Sequence, residues 1–184
     1  MIGVLVSGAG TNLQALLDAG LPVAAVASNT PGVQALERAA RASVPVAVFP
    51  EEKFDDRAAR DEAMADWLDE HRVEIVVCAG YMQLLTPGFL GRFPCINVHP
   101  SLLPAFAGLD AVGQALAAGA KETGVTIHFL DEGVDTGPVI AQERLAIEPG
   151  DTVESLHERL HAIEHRLLPE AVRLYLAGAI SSQP

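Results

Sequence analysis

The chain has 184 residues, a length that fits one domain with a hydrophobic core of its own. Its 24 Asp and Glu against 12 Lys and Arg give a formal charge of -12, which disfavours nucleic acid as a partner. Because no apolar stretch is long enough for a bilayer and no basic segment precedes the first apolar run, we expect no membrane partner, no secretion signal and a cytoplasmic location.

Five short apolar runs occur in the first hundred residues, and helix-like segments separate them. Continuous rather than alternating hydrophobicity is typical of strands that are covered on both faces. The sequence therefore predicts a single-domain α/β fold over residues 1–184, with an open, mostly parallel, twisted sheet flanked by helices on both faces. The five predicted strands are residues 2–6, 23–27, 46–49, 75–79 and 95–98.

The loop after the first strand, residues 7–12, has the sequence Ser-Gly-Ala-Gly-Thr-Asn and precedes a helix expected to open at Leu13. Glycines let backbone N–H groups approach a phosphate, and a helix N-terminus adds partial positive charge. A dinucleotide fingerprint would need glycine at position 13 and an acidic residue after the second strand, where Ser28 and Asn29 stand. The loop therefore favours a monophosphate site, with a purely structural turn as the alternative. The residues of that site are Gly10, Thr11 and Asn12.

The segment after residue 54 predicts a helix, with Asp55 and Asp56 as N-terminal caps. Its apolar side chains recur at helical spacing. They are Ala59, Ala63, Met64, Trp67 and Leu68. Further along, Cys78 and Cys95 lie in apolar, strand-like surroundings, which predicts buried free thiols rather than a disulfide.

The block Asn-Val-His-Pro-Ser-Leu-Leu-Pro, residues 97–104, begins at the end of the fifth strand. Alternation along a strand places Asn97 and His99 on the same side. This pair suits acyl or formyl transfer, because Asn97 can donate to a developing oxyanion while His99 manages the proton of an attacking amine. Taken alone, an Asn and His pair is more often structural than catalytic.

An acidic loop, residues 130–138, lies between two later predicted strands, 124–129 and 139–144, which follow a short helix near residues 112–118. Asp135 stands in it between two glycines. A carboxylate beside His99 would favour the imidazolium and make it a usable general acid near neutral pH. An ordinary acidic turn is the alternative.

The last helix is predicted to begin after Asp151, with Glu154 completing a capping box, and to pack an apolar stripe across the sheet. That stripe is Val153, Leu156, Leu160, Ile163 and Leu167. The same helix contains His157-Glu-Arg-Leu-His161, the letters of a zinc protease motif, with His165 one turn further. Because a zinc site needs a third ligand from another element and an open cleft, whereas this helix must bury its stripe, we predict no metal.

Four blocks extend over nearly the whole chain. They are Ser-Gly-x-Gly-Thr-Asn-Leu-Gln from Ser7, Ala-Gly-Tyr-Met from Ala79, the block 97–104, and Gly-Val-Thr-Ile-His from Gly124 with Asp-Glu-Gly-Val-Asp-Thr-Gly-Pro-Val-Ile from Asp131. Together they resemble the folate-dependent phosphoribosylglycinamide (GAR) formyltransferase family. The resemblance implies a Rossmann-like formyltransferase fold with a phosphate-binding part over about 1–95 and a catalytic and folate-binding part over about 96–184. It also implies formyl transfer from 10-formyltetrahydrofolate to the amine of GAR in de novo purine (IMP) synthesis.

The resemblance also implies roles for individual residues. The implied catalytic trio is Asn97, His99 and Asp135. The implied substrate-binding residues are Gly10, Thr11 and Asn12 for the phosphate and Glu164 for the ribose hydroxyls. The implied folate-contacting residues are Arg57, Met82, Gln83, Leu84, Leu85, Asn97, Asp131 and Asp135. On periodicity alone, the apolar members of the folate set would be core and Glu164 would lie on a solvated helix face.

The sequence departs from the family pattern at two positions. Many members of that family carry Arg where Gln83 stands, and His or Asn where Asp110 stands. Neither position belongs to the trio. Asp110 adds a negative charge near the expected pair of His99 and Asp135, where it would act on the proton balance.

Other functions remain alternatives. Formyltetrahydrofolate deformylase and methionyl-tRNA formyltransferase share the trio, but the first resembles this core with an extra N-terminal regulatory domain and the second with an extra C-terminal β domain and a basic surface. A non-catalytic phosphate-binding or ligand-sensing domain would leave the trio without a role. The residues do not decide the oligomeric state, and a homodimer stays open.

Overall fold

Short apolar strands alternate with helices along the chain, and a computed structural model describes residues 1–181. These residues form two compact units, the first Met1–Ile96 and the second beginning at Asn97. The functional division of the chain into a phosphate-binding and a catalytic part stays a prediction.

The first unit contains β1 (Ile2–Val6), α1 (Thr11–Asp18), β2 (Val23–Ser28), α2 (Gln34–Arg41), β3 (Val46–Val48), a 3-10 turn (Glu51–Lys53), α3 (Arg57–Glu70), β4 (Ile75–Cys78) and α4 (Pro87–Arg92). Its strands have the order β3-β2-β1-β4, and each neighbouring pair is parallel. All five residues of β1 are buried. This burial on both faces explains the continuous apolar runs.

The second unit contains α5 (Ala111–Ala117), β6 (Glu122–Phe129), β7 (Val139–Ala146) and α6 (Val153–Leu176), and it is entered through β5 (Cys95–His99). Its strands have the order β5-β6-β7, and β6 and β7 are antiparallel. With three parallel pairs in the first unit, the predicted fold class, an open and mostly parallel sheet flanked by helices, is confirmed. The prediction that the last helix packs on the sheet is also confirmed, because α6 contacts β6 and β7.

Two predicted helix starts need correction. The N-cap of α6 is Thr152, whose side chain forms a reciprocal capping box with Ser155, so the predicted box of Asp151 and Glu154 is wrong. Asp151 instead accepts the hydroxyl of Ser155 and the backbone N–H of Glu148 just before the helix. Helix α1 begins at Thr11 rather than at residue 13, because Gly10 already takes the cap position.

The cap of α3 and the state of the cysteines agree with the sequence. Asp56 is the N-cap of α3 and accepts the backbone N–H of Ala59 at 2.8 Å. Cys78 and Cys95 are free and buried. Burial raises the pKa of the Cys78 thiol to about 12. Because the thiol is buried and stays protonated at neutral pH, Cys78 is an unreactive core residue.

None of the helices in residues 1–181 combines the length and the apolar character that a membrane crossing requires.

Candidate functional site

The predicted phosphate loop ends on a glycine that no other residue could replace without strain. Gly10 has a left-handed φ of 72° and caps α1. A Cβ at this position would lie 2.5 Å from the Cβ of Ala35. Because the cap residue has no side chain, the first-turn N–H groups of α1 are not occupied by a side-chain cap, as an anion-binding helix N-terminus requires.

The structure places Thr11 and Asn12 in the first turn of α1, half-buried and buried respectively. Ala9 is held from the other side, because its carbonyl oxygen accepts the Nε–H of Arg38 at 2.8 Å. The predicted phosphate residues therefore lie together at the N-cap and in the first turn of α1.

Ser7 joins this loop to another part of the first unit, a role that the sequence analysis missed. Its hydroxyl donates to Oδ1 of Asn29 at 2.6 Å and accepts the backbone N–H of Met82 at 2.8 Å. Its own N–H donates to the carbonyl of Gly80. A hydroxyl residue directly after a buried strand was the available signal, but its partners are 22 and 75 residues away.

The predicted folate-contacting residues of the first unit lie on the surface rather than in the core. Met82 is 63% exposed and Leu84 is 54% exposed, so the core interpretation that periodicity suggests is wrong for both. Gln83 lies between them in sequence and Leu85 follows Leu84, and both side chains are half-buried. Arg57 is the exposed first residue of α3. Large exposed apolar side chains so close in sequence are typical of a ligand surface.

The second unit brings the predicted catalytic trio together. Nδ1 of His99 lies 3.3 Å from Oδ2 of Asp135, and Nε2 of the same ring lies 2.9 Å from the carbonyl oxygen of Phe106. Both ring nitrogens thus face acceptors, and only an imidazolium can donate to both at once. Alternation along β5 places Asn97 on the same side, as predicted, and Nδ2 of Asn97 is 3.1 Å from Nε2 of His128.

Asp135 is the centre of this cluster. It has a left-handed φ of 54°, a conformation that Asp tolerates better than most residues. Its Oδ2 accepts the backbone N–H of Gly108 at 2.8 Å. Burial raises the pKa of Asp135, but hydrogen bonds from His128 and Gly108 and the charges of His99 and His128 outweigh it, so the pKa lies below its ordinary value. The carboxylate is therefore ionised at neutral pH.

His128 is a member of the cluster that the sequence analysis quoted but did not assign. It is fully buried, and its Nε2 lies 3.5 Å from Oδ1 of Asp135. Its Nδ1 lies 2.9 Å from the carbonyl oxygen of Phe129, so Nδ1 carries a proton. Its Nε2 also lies 3.1 Å from Nδ2 of Asn97, so this one ring nitrogen faces both the amide and the carboxylate. The signal was its register on β6, four residues after Gly124.

The other assigned residues of the second unit have these positions. Asp131 is exposed, and its Oδ1 accepts from Gly133 and Thr136 within its own loop. Glu164 is buried in α6, so the solvated-face interpretation is wrong. Asp110 caps α5 and accepts the backbone N–H of Gly113 at 3.2 Å.

The histidines of the zinc-like motif form a ladder along α6. The ring of His161 lies parallel to those of His157 and His165, with centroids 5.9 and 5.8 Å apart. Among residues 1–181, no group of three or more side chains is arranged to hold a metal ion.

Comparison with known proteins gives concordant matches. Residues 1–172 match the profile of the family described as formyl transferase. Over 183 residues the chain is 39% identical to phosphoribosylglycinamide formyltransferase of Bacillus subtilis, covering 94% of this chain and 93% of that protein. It is 45% identical to the trifunctional purine biosynthetic protein adenosine-3 of Chironomus tentans, over 97% of this chain but only 14% of that protein.

Solved structures agree with these matches. Glycinamide ribonucleotide transformylase 1 from Symbiobacterium toebii superposes with a TM-score of 0.94 at 46% identity, over 96% of this chain and 87% of that one. Phosphoribosylglycinamide formyltransferase from Bacillus halodurans superposes with a TM-score of 0.93 at 40% identity, over 97% and 96% of the two chains.

Proposed function

The chain belongs to the formyl transferase family, and on this premise we propose that it is a phosphoribosylglycinamide formyltransferase. It transfers the formyl group of 10-formyltetrahydrofolate to the amine of GAR in de novo purine synthesis. The observation that carries the proposal is the imidazole of His99, set between the Phe106 carbonyl and the Asp135 carboxylate, with the Asn97 amide on the same side of β5.

The reaction needs a donor for the oxyanion that forms when the GAR amine attacks the formyl carbon. An amide has two N–H groups, and one from Asn97 is directed at His128, which leaves the second for the oxyanion. His99 supplies the second donation when the oxyanion replaces the Phe106 carbonyl as its acceptor. The proposed rearrangement is small, because His99 only exchanges one acceptor oxygen for another and the Asn97 amide already lies on the same side of β5.

The proton balance is carried by His99 and Asp135. The attacking amine forms a C–N bond and loses a proton, which passes to Asp135 directly or through water. When the bond between the formyl carbon and the folate nitrogen breaks, that nitrogen takes the proton that Asp135 received, directly or through water, so the carboxylate is ionised again and tetrahydrofolate leaves. While the amine attacks, the Asp135 carboxylate is still ionised and accepts from Nδ1 of His99, which strengthens the hydrogen bond from His99 to the oxyanion.

The two substrates are assigned to separate surfaces. The loop of Gly10, Thr11 and Asn12 holds the phosphate of GAR, and Glu164 holds its ribose hydroxyls. The exposed Met82 and Leu84, with Gln83 and Leu85, receive the flat pterin ring. Arg57 and Asp131 complete the folate contacts, with Asn97 and Asp135 reaching the reacting end. A contact with the pterin ring would cover the side chains of Met82 and Leu84, whose exposure to water is otherwise unfavourable.

The proposal is tested by incubating the purified chain with 10-formyltetrahydrofolate, with and without GAR, and following tetrahydrofolate release and GAR formylation. Cofactor turnover that requires GAR supports the transferase. Turnover without GAR would make the chain a deformylase, and binding without turnover would make it a ligand-sensing domain. We also propose a cytoplasmic location and no metal, and sedimentation of the purified chain decides whether it is a homodimer.

A further inference from the structure

Arg60 and Asp61 form an ion pair inside the first unit, on the second turn of α3. Each side chain is 1% exposed. Nε and Nη2 of Arg60 both donate to Oδ1 of Asp61, at 2.9 and 2.7 Å. Neither residue is in the trio or in the phosphate loop, so the reaction described above does not use this pair directly.

The pair makes three more hydrogen bonds, and all of them go to one stretch of chain, residues 82–86, called the 82–86 segment below. Nη1 of Arg60 donates to Oε1 of Gln83 at 3.3 Å, and Nη2 donates to the carbonyl of Leu84 at 3.1 Å. Oδ2 of Asp61 accepts the backbone N–H of Thr86 at 2.7 Å. The guanidinium and carboxylate thus hold the 82–86 segment at three successive points.

Desolvation makes a buried ion pair a poor device for stability alone, since an apolar pair of similar volume often stabilises a fold as well. Directional bonds to a backbone do something that apolar packing cannot, because they fix the path and orientation of the segment that receives them. In the 82–86 segment the result is that Met82 and Leu84 are exposed while Gln83, between them, is held inward by Arg60.

We infer that Arg60 and Asp61 are positioning residues for folate, because they hold the 82–86 segment in the conformation that presents Met82 and Leu84 to the pterin ring. The inference rests on the proposed function, in which this segment receives the folate. It predicts that loosening the pair weakens the use of 10-formyltetrahydrofolate and leaves the use of GAR unchanged.

The test compares KM for each substrate in wild type, Arg60→Lys and Arg60→Gln. Arg60→Lys keeps the charge beside Asp61 but cannot bridge to both Gln83 and Leu84. Both variants should raise KM for 10-formyltetrahydrofolate by about 10-fold or more, because small misplacements of a binding segment are costly, with KM for GAR within about 2-fold. The matched control is Arg92→Gln, since Arg92 of α4 pairs with Asp66 and Asp69, which lie further along α3 than Arg60 and Asp61.

A second variant keeps the test decisive if Arg60→Gln does not fold. Asp61→Asn keeps an oxygen for the backbone N–H of Thr86 but removes the charge that holds the Arg60 guanidinium. This variant should also raise KM for 10-formyltetrahydrofolate by about 10-fold, with KM for GAR within about 2-fold of wild type.

Three results would overturn the inference: a folded Arg60→Lys with an unchanged folate KM, equal changes in both KM values, or a folded Asp61→Asn with an unchanged folate KM. Wild-type protein that transfers no formyl group would instead overturn the proposed function, which separates the two failures.

Discussion

Nδ1 of His99 lies 3.3 Å from Oδ2 of Asp135, although the two residues are 36 positions apart along the chain. The same carboxylate oxygen accepts the N–H of Gly108, so the loop that follows β5 and the loop that follows β6 meet at one side chain. An asparagine at position 135 would keep the shape of the side chain and one acceptor oxygen but remove the charge. This substitution separates the effect of the charge from the effect of the geometry.

Asp135→Asn should lower turnover by about 10²-fold to 10³-fold, the range found when one preorganised electrostatic contact to a transition state is lost. Asparagine tolerates the left-handed φ of residue 135, so the far-ultraviolet circular dichroism spectrum should be unchanged. The matched control is Glu132→Gln, an exposed carboxylate of the same loop, which should retain wild-type turnover. Near-normal turnover in Asp135→Asn would eliminate the mechanism.

The lowered pKa of Asp135 predicts how its contribution to stability depends on pH. A carboxylate whose folded pKa is depressed stabilises the fold above its unfolded pKa, about 3.9, and that contribution is lost as the pH falls through the lower folded value. The difference in unfolding free energy between wild type and Asp135→Asn should therefore be constant from pH 7 to 5. It should shrink in acid below about pH 3.9. Urea titrations at several pH values measure it, and a difference that grows in acid would contradict the assignment.

Gly10→Ala should destabilise the chain by about 2 to 4 kcal/mol, from a left-handed backbone that alanine resists and from a clash with Ala35. Gly8→Ala in the same loop is the control for stability, because a Cβ there has no atom within 4 Å. It should change the free energy of unfolding by less than about 1 kcal/mol. Equal effects in urea unfolding would show that the close approach of Gly10 to α2 does not matter.

Neither Cys78 nor Cys95 should react with a thiol-specific reagent in the folded chain. Burial raises the pKa of Cys78 to about 12, and it also raises the pKa of Cys95 well above its ordinary value, so neither forms a thiolate near neutral pH. Two equivalents should react once the chain is unfolded in guanidinium. Rapid reaction of either thiol under native conditions would show that β4 or β5 opens locally.

Thr152→Ala should lower the free energy of unfolding by about 1 kcal/mol, the usual cost of removing an N-cap hydroxyl. The reason is that Oγ1 of Thr152 accepts the backbone N–H of Ser155 at the start of α6. Glu158→Ala, at an exposed site one turn later, is the control and should stay within about 0.5 kcal/mol of wild type. A larger loss in the control would mean that the cap is not the critical feature of this end.

Patterns within a short window were enough to predict much of this chain. Continuous apolar runs identified β1, β2, β4 and β5, and the glycine-rich turn placed the start of α1 to within two residues, because burial and a left-handed cap each restrict the residues allowed locally. The chemistry of an amide, an imidazole and a carboxylate in two short blocks also suggested the trio before any coordinates.

The sequence by itself determined the strands, the glycine-rich turn before α1 and the candidate catalytic side chains, since those depend on neighbours a few residues away. Only the tertiary structure decided that His128 flanks Asp135, that Ser7 meets Met82, and that Arg60 reaches Leu84. Each of these contacts joins residues 7 to 75 positions apart. The path of the backbone between such residues, rather than their identity, determines whether they meet, and no local pattern encodes that path.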